Sequence, residues 1–155
     1  MTSVALRPAA PADAEFCFGL HEAAMGEYIT AIWGWDEQVQ RDFHTRGFQP
    51  GRWQIITVDG ADAGMLDVEY QPDAVYLSRI ELLPGYQDRG VGTGLIRALI
   101  AEAHRRGQPL ELDVLAVNHR AQVLYRRLGL REVPSGDGDP LRLRMRAAPG
   151  QAAES

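Results

Sequence analysis

Leu82-Leu83-Pro84-Gly85-Tyr86-Gln87-Asp88-Arg89-Gly90-Val91-Gly92-Thr93-Gly94 decides the fold of this chain. An apolar run of strand character stops at Pro84, and a loop of glycines and polar groups then opens a long apolar-periodic stretch. Gly90, Gly92 and Gly94 leave backbone N–H groups uncovered at a helix N-terminus, which is a ready-made anion site. Arg89 adds a full positive charge to the partial charge of the helix dipole. The stretch therefore reads as a strand, a phosphate- or pyrophosphate-binding loop and a helix, in that order.

Downstream, Leu95, Ile96, Leu99, Ile100 and Ala103 mark one helical face, and Gly107 with Pro109 ends it. Leu110 to Val114 is the next strand. A helix separates it from the preceding strand, so the two are expected to be parallel. Asn118, the only asparagine in the chain, stands at an N-cap position. Ala121, Leu124, Tyr125 and Leu128 form the stripe of the helix it opens, and Gly129 closes that helix. Leu130 to Val133 and Leu141 to Met145 read as a final strand pair across the turn-rich Pro134 to Pro140. An exposed final pair would offer an edge for a homodimer.

Upstream, Val4 to Arg7 reads as a first strand stopped by Pro8. A helix is expected from about Pro11 to about Met25, and a second from Asp36, as its cap, to Arg46. Val39 and Phe43 would be the apolar stripe of the second helix, and Gly47 its end. Trp53 to Val58, the turn Asp59-Gly60, Ala63 to Tyr70, the turn Gln71-Pro72-Asp73 and Val75 to Leu83 make an antiparallel meander.

At 155 residues the chain is expected to be one domain over residues 1–146, with an aperiodic, disordered tail over 147–155. The apolar runs are too short to span a membrane and no leader opens the chain, so a cytoplasmic protein without a membrane partner is expected. The net charge of −5 gives no electrostatic support to a nucleic-acid partner. All 16 basic residues are arginine, which excludes a Schiff-base lysine and a P-loop lysine. Cys17 stands alone and reads as a buried structural thiol. The four histidines do not cluster, so no metal site is expected.

A glycine loop between strand and helix invites a dinucleotide reading. The antiparallel approach and the spacing Gly90-x-Gly92-x-Gly94 both depart from the βαβ unit and G-x-G-x-x-G of that fingerprint. Gln87-Asp88-Arg89-Gly90-Val91-Gly92 instead resembles the Q/R-x-x-G-x-G/A signature of the GNAT superfamily of N-acetyltransferases. The start Leu6-Arg7-Pro8-Ala9 with Asp13-Ala14 is similar to that family's first strand and helix. The approach Leu82-x-Pro84-x-Tyr86-Gln87 resembles its central strand. Asn118-x-x-Ala121-x-x-x-Tyr125-x-x-Leu128-Gly129-Leu130 resembles its second motif. The likeness covers roughly residues 4 to 146.

The resemblance implies an α/β fold. Its sheet would be mixed and mostly antiparallel, with six or seven strands, about four flanking helices and two splayed parallel central strands. Acetyl-CoA would be the co-substrate, bound in the opening between those strands. Its contacts would come from Ile80, Leu82 and Leu83 on the central strand, from the loop Gln87, Asp88, Arg89, Gly90, Val91, Gly92, Thr93 and Gly94, and from Asn118 and Tyr125. A backbone N–H at or beside Leu82 would meet the acetyl oxygen.

Acetyl transfer to an amine needs a proton taken from the amine, an oxyanion stabilised and a leaving thiolate protonated. Tyr125 is the candidate acid, since a phenol keeps its proton at neutral pH. Asp113 and Glu81 are the candidate bases, and a solvent chain could serve instead. Strand alternation places Glu81 on the face of Arg79, so an ion pair between these two is the structural alternative. Tyr76 and Ser78 stand where relatives carry a base or relay group. Tyr28, Trp33 and Trp35, beside Asp36 and Glu37, would suit a cationic amine through cation–π contact and charge; the alternative is packing at a helix junction. The expected reaction is acetylation of the primary amine of a small cationic molecule. A protein or peptide N-terminus, or acyl-CoA binding without transfer as a sensor, are the other readings.

Overall fold

The computed structural model describes residues 2–135 and 138–150. Seven strands are hydrogen-bonded in the order β1-β2-β3-β4-β5-β7-β6: β1 Val4–Pro8, β2 Gln54–Val58, β3 Ala61–Tyr70, β4 Val75–Leu82, β5 Leu110–Leu115, β6 Arg131–Val133 and β7 Arg142–Ala147. The described α-helices are α1 Ala14–Trp33, α2 Glu37–Gly47, α3 Val91–Arg105 and α4 His119–Arg127. The pairs β1–β2, β2–β3, β5–β7 and β6–β7 are antiparallel, and β4–β5 is parallel. The mixed sheet with a parallel central pair and four helices is the fold expected from the sequence.

The chain divides into two compact units, Met1–Asp67 with Arg79–Val91, and Val68–Ser78 with Gly92–Ser155. In the first, Ala9, Cys17, Leu20, Trp53, Ile55 and Met65 form a buried cluster, and Phe16, Phe48 and Leu83 pack against it. The β2–β3 hairpin turns on Asp59 and Gly60 at φ 51° and 83°, the left-handed pair that a two-residue turn of this twist requires. α1 runs eight residues beyond the expected end at Met25. One interior glycine, Gly26, costs only about 1 kcal/mol against alanine, and the residues around it favour helix. The helix stops instead at Gly34, whose φ of 76° leaves the helical region and whose N–H donates to the Thr30 carbonyl at 3.1 Å. Asp36 caps α2 as expected, accepting from the Val39 N–H at 3.0 Å. The expected apolar stripe of α2 is not its packed face. Val39 and Phe43 are 44% and 59% exposed, and the ring of His44 packs edge-on against Phe18 and Trp53 instead.

In the second unit β4 pairs with β5 from Val75 opposite Leu110 to Leu77 opposite Leu112. Leu110, Leu112 and Val114 of β5 are buried at every second position. On α3, Ile96, Leu99, Ile100 and Ala103 are buried at helical spacing, as the sequence stripe requires. β7 lies between β5 and β6, so the last two strands do not present a shared free edge; β6 alone does. β7 ends at the buried Ala147, one residue past the expected end of the ordered chain. The rest of the expected tail is described to Gly150, and residues 151–155 lie outside the described residues, as do two residues of the expected Pro134 to Pro140 turn.

Candidate active site

β4 ends at Leu82, and Pro84–Tyr86 forms a 3-10 turn with the Tyr86 N–H donating to the Leu83 carbonyl at 2.9 Å. Gln87 folds back from this turn, its side-chain amide donating to the Leu82 carbonyl at 3.0 Å. The loop thus ties itself to the end of β4 through two residues expected to face the coenzyme. Asp88 at φ 62° and Gly90 at φ 81° then turn the backbone through left-handed geometry into α3. Among the described residues, nothing lies within 4 Å of where a Cβ would stand at Gly90 or Gly94. The first-turn amides of a helix have no intrahelical acceptors. The start of α3 therefore offers an anion an approachable row of donors. Arg89 stands beside it, its guanidinium carbon 5.5 Å from the centre of the Tyr86 ring.

Glu81, near the end of β4, is buried, and only 6% of it is exposed. The expected partner Arg79 does not take it. Arg79 sits over the Trp53 ring at 5.2 Å, and Glu81 Oε2 bonds His21 Nδ1 at 2.7 Å. Glu81 Oε1 is buried and has no hydrogen-bond partner among the described residues. A buried, unpaired carboxylate oxygen is costly unless something supplies a donor. His21 stands in α1 one turn after Cys17 and next to Leu20. Sequence reading assigned it no role, although a histidine on an otherwise apolar helical face was the available signal. Cys17 is buried and unpaired; burial, with the nearby Asp13 and Glu81 charges, pushes its thiol up to about 11, in keeping with a structural role.

The aromatic stretch before α2 is helical up to Trp33, so only 34–36 link α1 and α2. Tyr28 lies within α1, partly buried, and Trp33, its last residue, is 52% exposed. Trp35 packs 6.2 Å from Phe18 and 6.5 Å from the His21 ring, and its indole N–H donates to Glu37 Oε2 at 2.9 Å. Trp35 is therefore engaged in packing.

The second unit holds the other candidates. Asp113 is clamped: Arg144 donates Nε to Oδ1 at 2.7 Å and Nη2 to Oδ2 at 3.0 Å, and the Tyr76 hydroxyl donates to Oδ2 at 2.7 Å. Burial works to raise its carboxyl, but the guanidinium and the hydroxyl outweigh burial and hold it below the usual carboxylate range. Burial and the Asp113 bond push the Tyr76 phenol well above its ordinary value. Ser78 is exposed on the same strand. Asn118 caps α4, its Oδ1 accepting from the Ala121 N–H at 3.1 Å. Gln122 secures the turn before it, donating to the Leu115 and Ala116 carbonyls at 3.2 and 2.9 Å. Tyr125 follows on α4, and burial pushes its phenol up to about 12, so it retains its proton throughout the neutral range.

Against known proteins, residues 18–130 match the acetyltransferase (GNAT) family. No curated protein matches the chain. Among solved structures, it is similar to the PaiA N-acetyltransferase of Thermoplasma acidophilum in complex with coenzyme A, with a TM-score of 0.73 at 15% identity over 94% of this chain and 99% of that one. It is also similar to the ribosomal-protein-S18-alanine N-acetyltransferase of Escherichia coli, with a TM-score of 0.66 at 25% identity over 100% and 98% of the two chains. An acetyltransferase of Thermus thermophilus matches with a TM-score of 0.70 at 21% identity over 93% and 96%.

Proposed function

The chain belongs to the acetyltransferase (GNAT) family and is an acetyl-CoA-dependent acetyltransferase, and from that premise we propose that its acceptor is the primary amine of a small cationic molecule. The observation that carries this reading is Glu81 Oε1, a buried carboxylate oxygen with no donor among the described residues. An ammonium group supplies that donor and cancels the buried charge. Trp33, half exposed at the end of α1, is the aromatic residue proposed to face that cation.

In this reading the loop Gln87 to Gly94 holds the coenzyme's pyrophosphate through backbone amides at the start of α3, with Arg89 as the added charge. Glu81 takes the proton from the acceptor ammonium: an N–H bond breaks, an O–H bond forms at Oε1, and the freed lone pair attacks the thioester carbonyl. That attack forms the C–N bond as the carbonyl π pair moves to oxygen. Collapse of the oxyanion breaks the C–S bond, the nitrogen loses its second proton through solvent to restore the acid, and the departing thiolate takes a proton. Tyr125 is assigned as the donor of that proton. Its raised value keeps the hydroxyl protonated at neutral pH, so a proton is present to give as charge builds on sulfur. Asp113, with both oxygens bonded and its affinity for protons lowered, suits a structural ion pair better than a base. The acetyl oxygen's backbone donor at or beside Leu82 and the contacts of Ile80, Leu83 and Asn118 rest on the family resemblance. Within that resemblance, we place the enzyme in the cytoplasm; no described helix is long and apolar enough to cross a membrane.

Thiol release from acetyl-CoA is the test, measured across alkyl diamines, arylalkylamines, amino alcohols and short peptides with free N-termini. Turnover highest with small cationic amines is expected. Turnover confined to peptides would move the acceptor to a protein N-terminus, a reading that the Escherichia coli neighbour's named activity favours. Tight acetyl-CoA binding with no turnover on any amine would make the protein a sensor.

A further inference from the structure

We propose that His21 is a positioning residue for Glu81: its Nδ1–H occupies Oε2 and holds the carboxylate in the orientation from which it takes the acceptor's proton. This deepens the reading of Glu81 given above and rests on it.

The carboxylate has two chemically equivalent oxygens, and a base acts on the acceptor only if the correct one faces it with the correct angle. The 2.7 Å bond from α1 removes that equivalence. An ionised carboxylate can only accept, so the shared proton belongs to the imidazole nitrogen, and this fixes which ring nitrogen carries it. The ring is itself held. Trp35 packs against it at 6.5 Å, and Trp35 is fixed by the indole bond to Glu37 Oε2 at 2.9 Å. A chain of contacts thus runs from the first turn of α2 through Trp35 and His21 to the C-terminal end of β4. Arg79, on Glu81's own strand, is drawn away over Trp53 and leaves the clamp to the histidine.

Two measurements test this. In histidine-labelled protein, 15N NMR reads which ring nitrogen of His21 carries a proton. A protonated Nδ1 is expected, and a bare Nδ1 overturns the proposal whatever the amine panel shows. The second measurement uses the amine with the highest turnover. His21→Leu should lower kcat about 10- to 100-fold, the span of one hydrogen bond to a charged group, with the acetyl-CoA KM unchanged. His21→Asn, whose amide places a donor near the position of Nδ1, should recover most of that loss. Equal loss in both variants, or parent turnover in His21→Leu, overturns the proposal. Absence of turnover with every amine defeats the proposed function and leaves the Nδ1 measurement to decide the positioning role.

Discussion

Gly64 of β3 faces the Glu81 carbonyl of β4 so closely that a Cβ there would collide with that oxygen and stand 2.8 Å from Leu82 Cδ2. Beside it, the Leu83 N–H donates to the Ala63 carbonyl at 2.9 Å. The close approach fixes the backbone that carries the candidate base. Gly64→Ala must push two strands apart, at a cost of about 1–3 kcal/mol. The expected outcome is a Tm lower by roughly 2–12 °C in thermal unfolding. Turnover below about 25 °C should fall as well, because Glu81 moves with its strand.

Glu81→Gln keeps the size and one acceptor oxygen for His21 while removing the charge. If Glu81 takes the acceptor's proton, kcat should fall about 10²- to 10⁴-fold, the usual span for a general base. Acetyl-CoA affinity by calorimetry should not change. Parent-like turnover would assign the proton to a water chain instead.

Tyr125→Phe keeps the partly buried ring and removes the hydroxyl. A loss of about 10²-fold or more in kcat is expected if that hydroxyl protonates the leaving sulfur. Folding should be intact by circular dichroism. An unaltered kcat would reduce Tyr125 to packing on α4.

Gly90 stands at φ 81°. Gly90→Val forces a β-branched residue into left-handed geometry, which costs about 1–2 kcal/mol, and covers the amides at the start of α3. Loss of measurable acetyl-CoA binding by calorimetry is expected, and the sequence predicts the same for Gly92→Val. Near-parent affinity would separate the loop from the pyrophosphate.

Asp113 is a pH probe of stability. Its folded value lies below its unfolded one, so its contribution is present above the unfolded value of about 3.9 and is lost as pH falls through the folded value. Asp113→Asn should therefore unfold more readily than the parent at about pH 7. The two should converge in acid, below about pH 4. Urea unfolding at a series of pH values measures this, and a difference that persists in acid would trace the effect to packing.

The glycine loop, the Asn118 cap, the turn at Asp59-Gly60 and the parallel central pair were legible because each is a local rule. A backbone that needs positive φ selects glycine or its closest substitutes, a helix start selects a side-chain acceptor, and a strand–helix–strand order selects a parallel neighbour. The end of α1 was misjudged at Gly26 because helix continuation depends on packing that a single unfavourable residue does not decide. The stripe of α2 was misjudged because Val39 and Phe43 have the spacing of a buried face, while the surface that packs is set by what stands opposite it.

For the candidate site, sequence alone determined the groups on offer: a glycine-rich helix start, a carboxylate on the central strand and a phenol on the last helix. Which partner Glu81 takes was decided only by the tertiary structure. Arg79, two residues away, is the near neighbour by sequence, yet Trp53 draws it off, and His21, 60 residues earlier, reaches the carboxylate from α1. Local periodicity records which way a side chain points. It holds no information about which distant element is folded against that face, and the pairing of buried charges depends on that element.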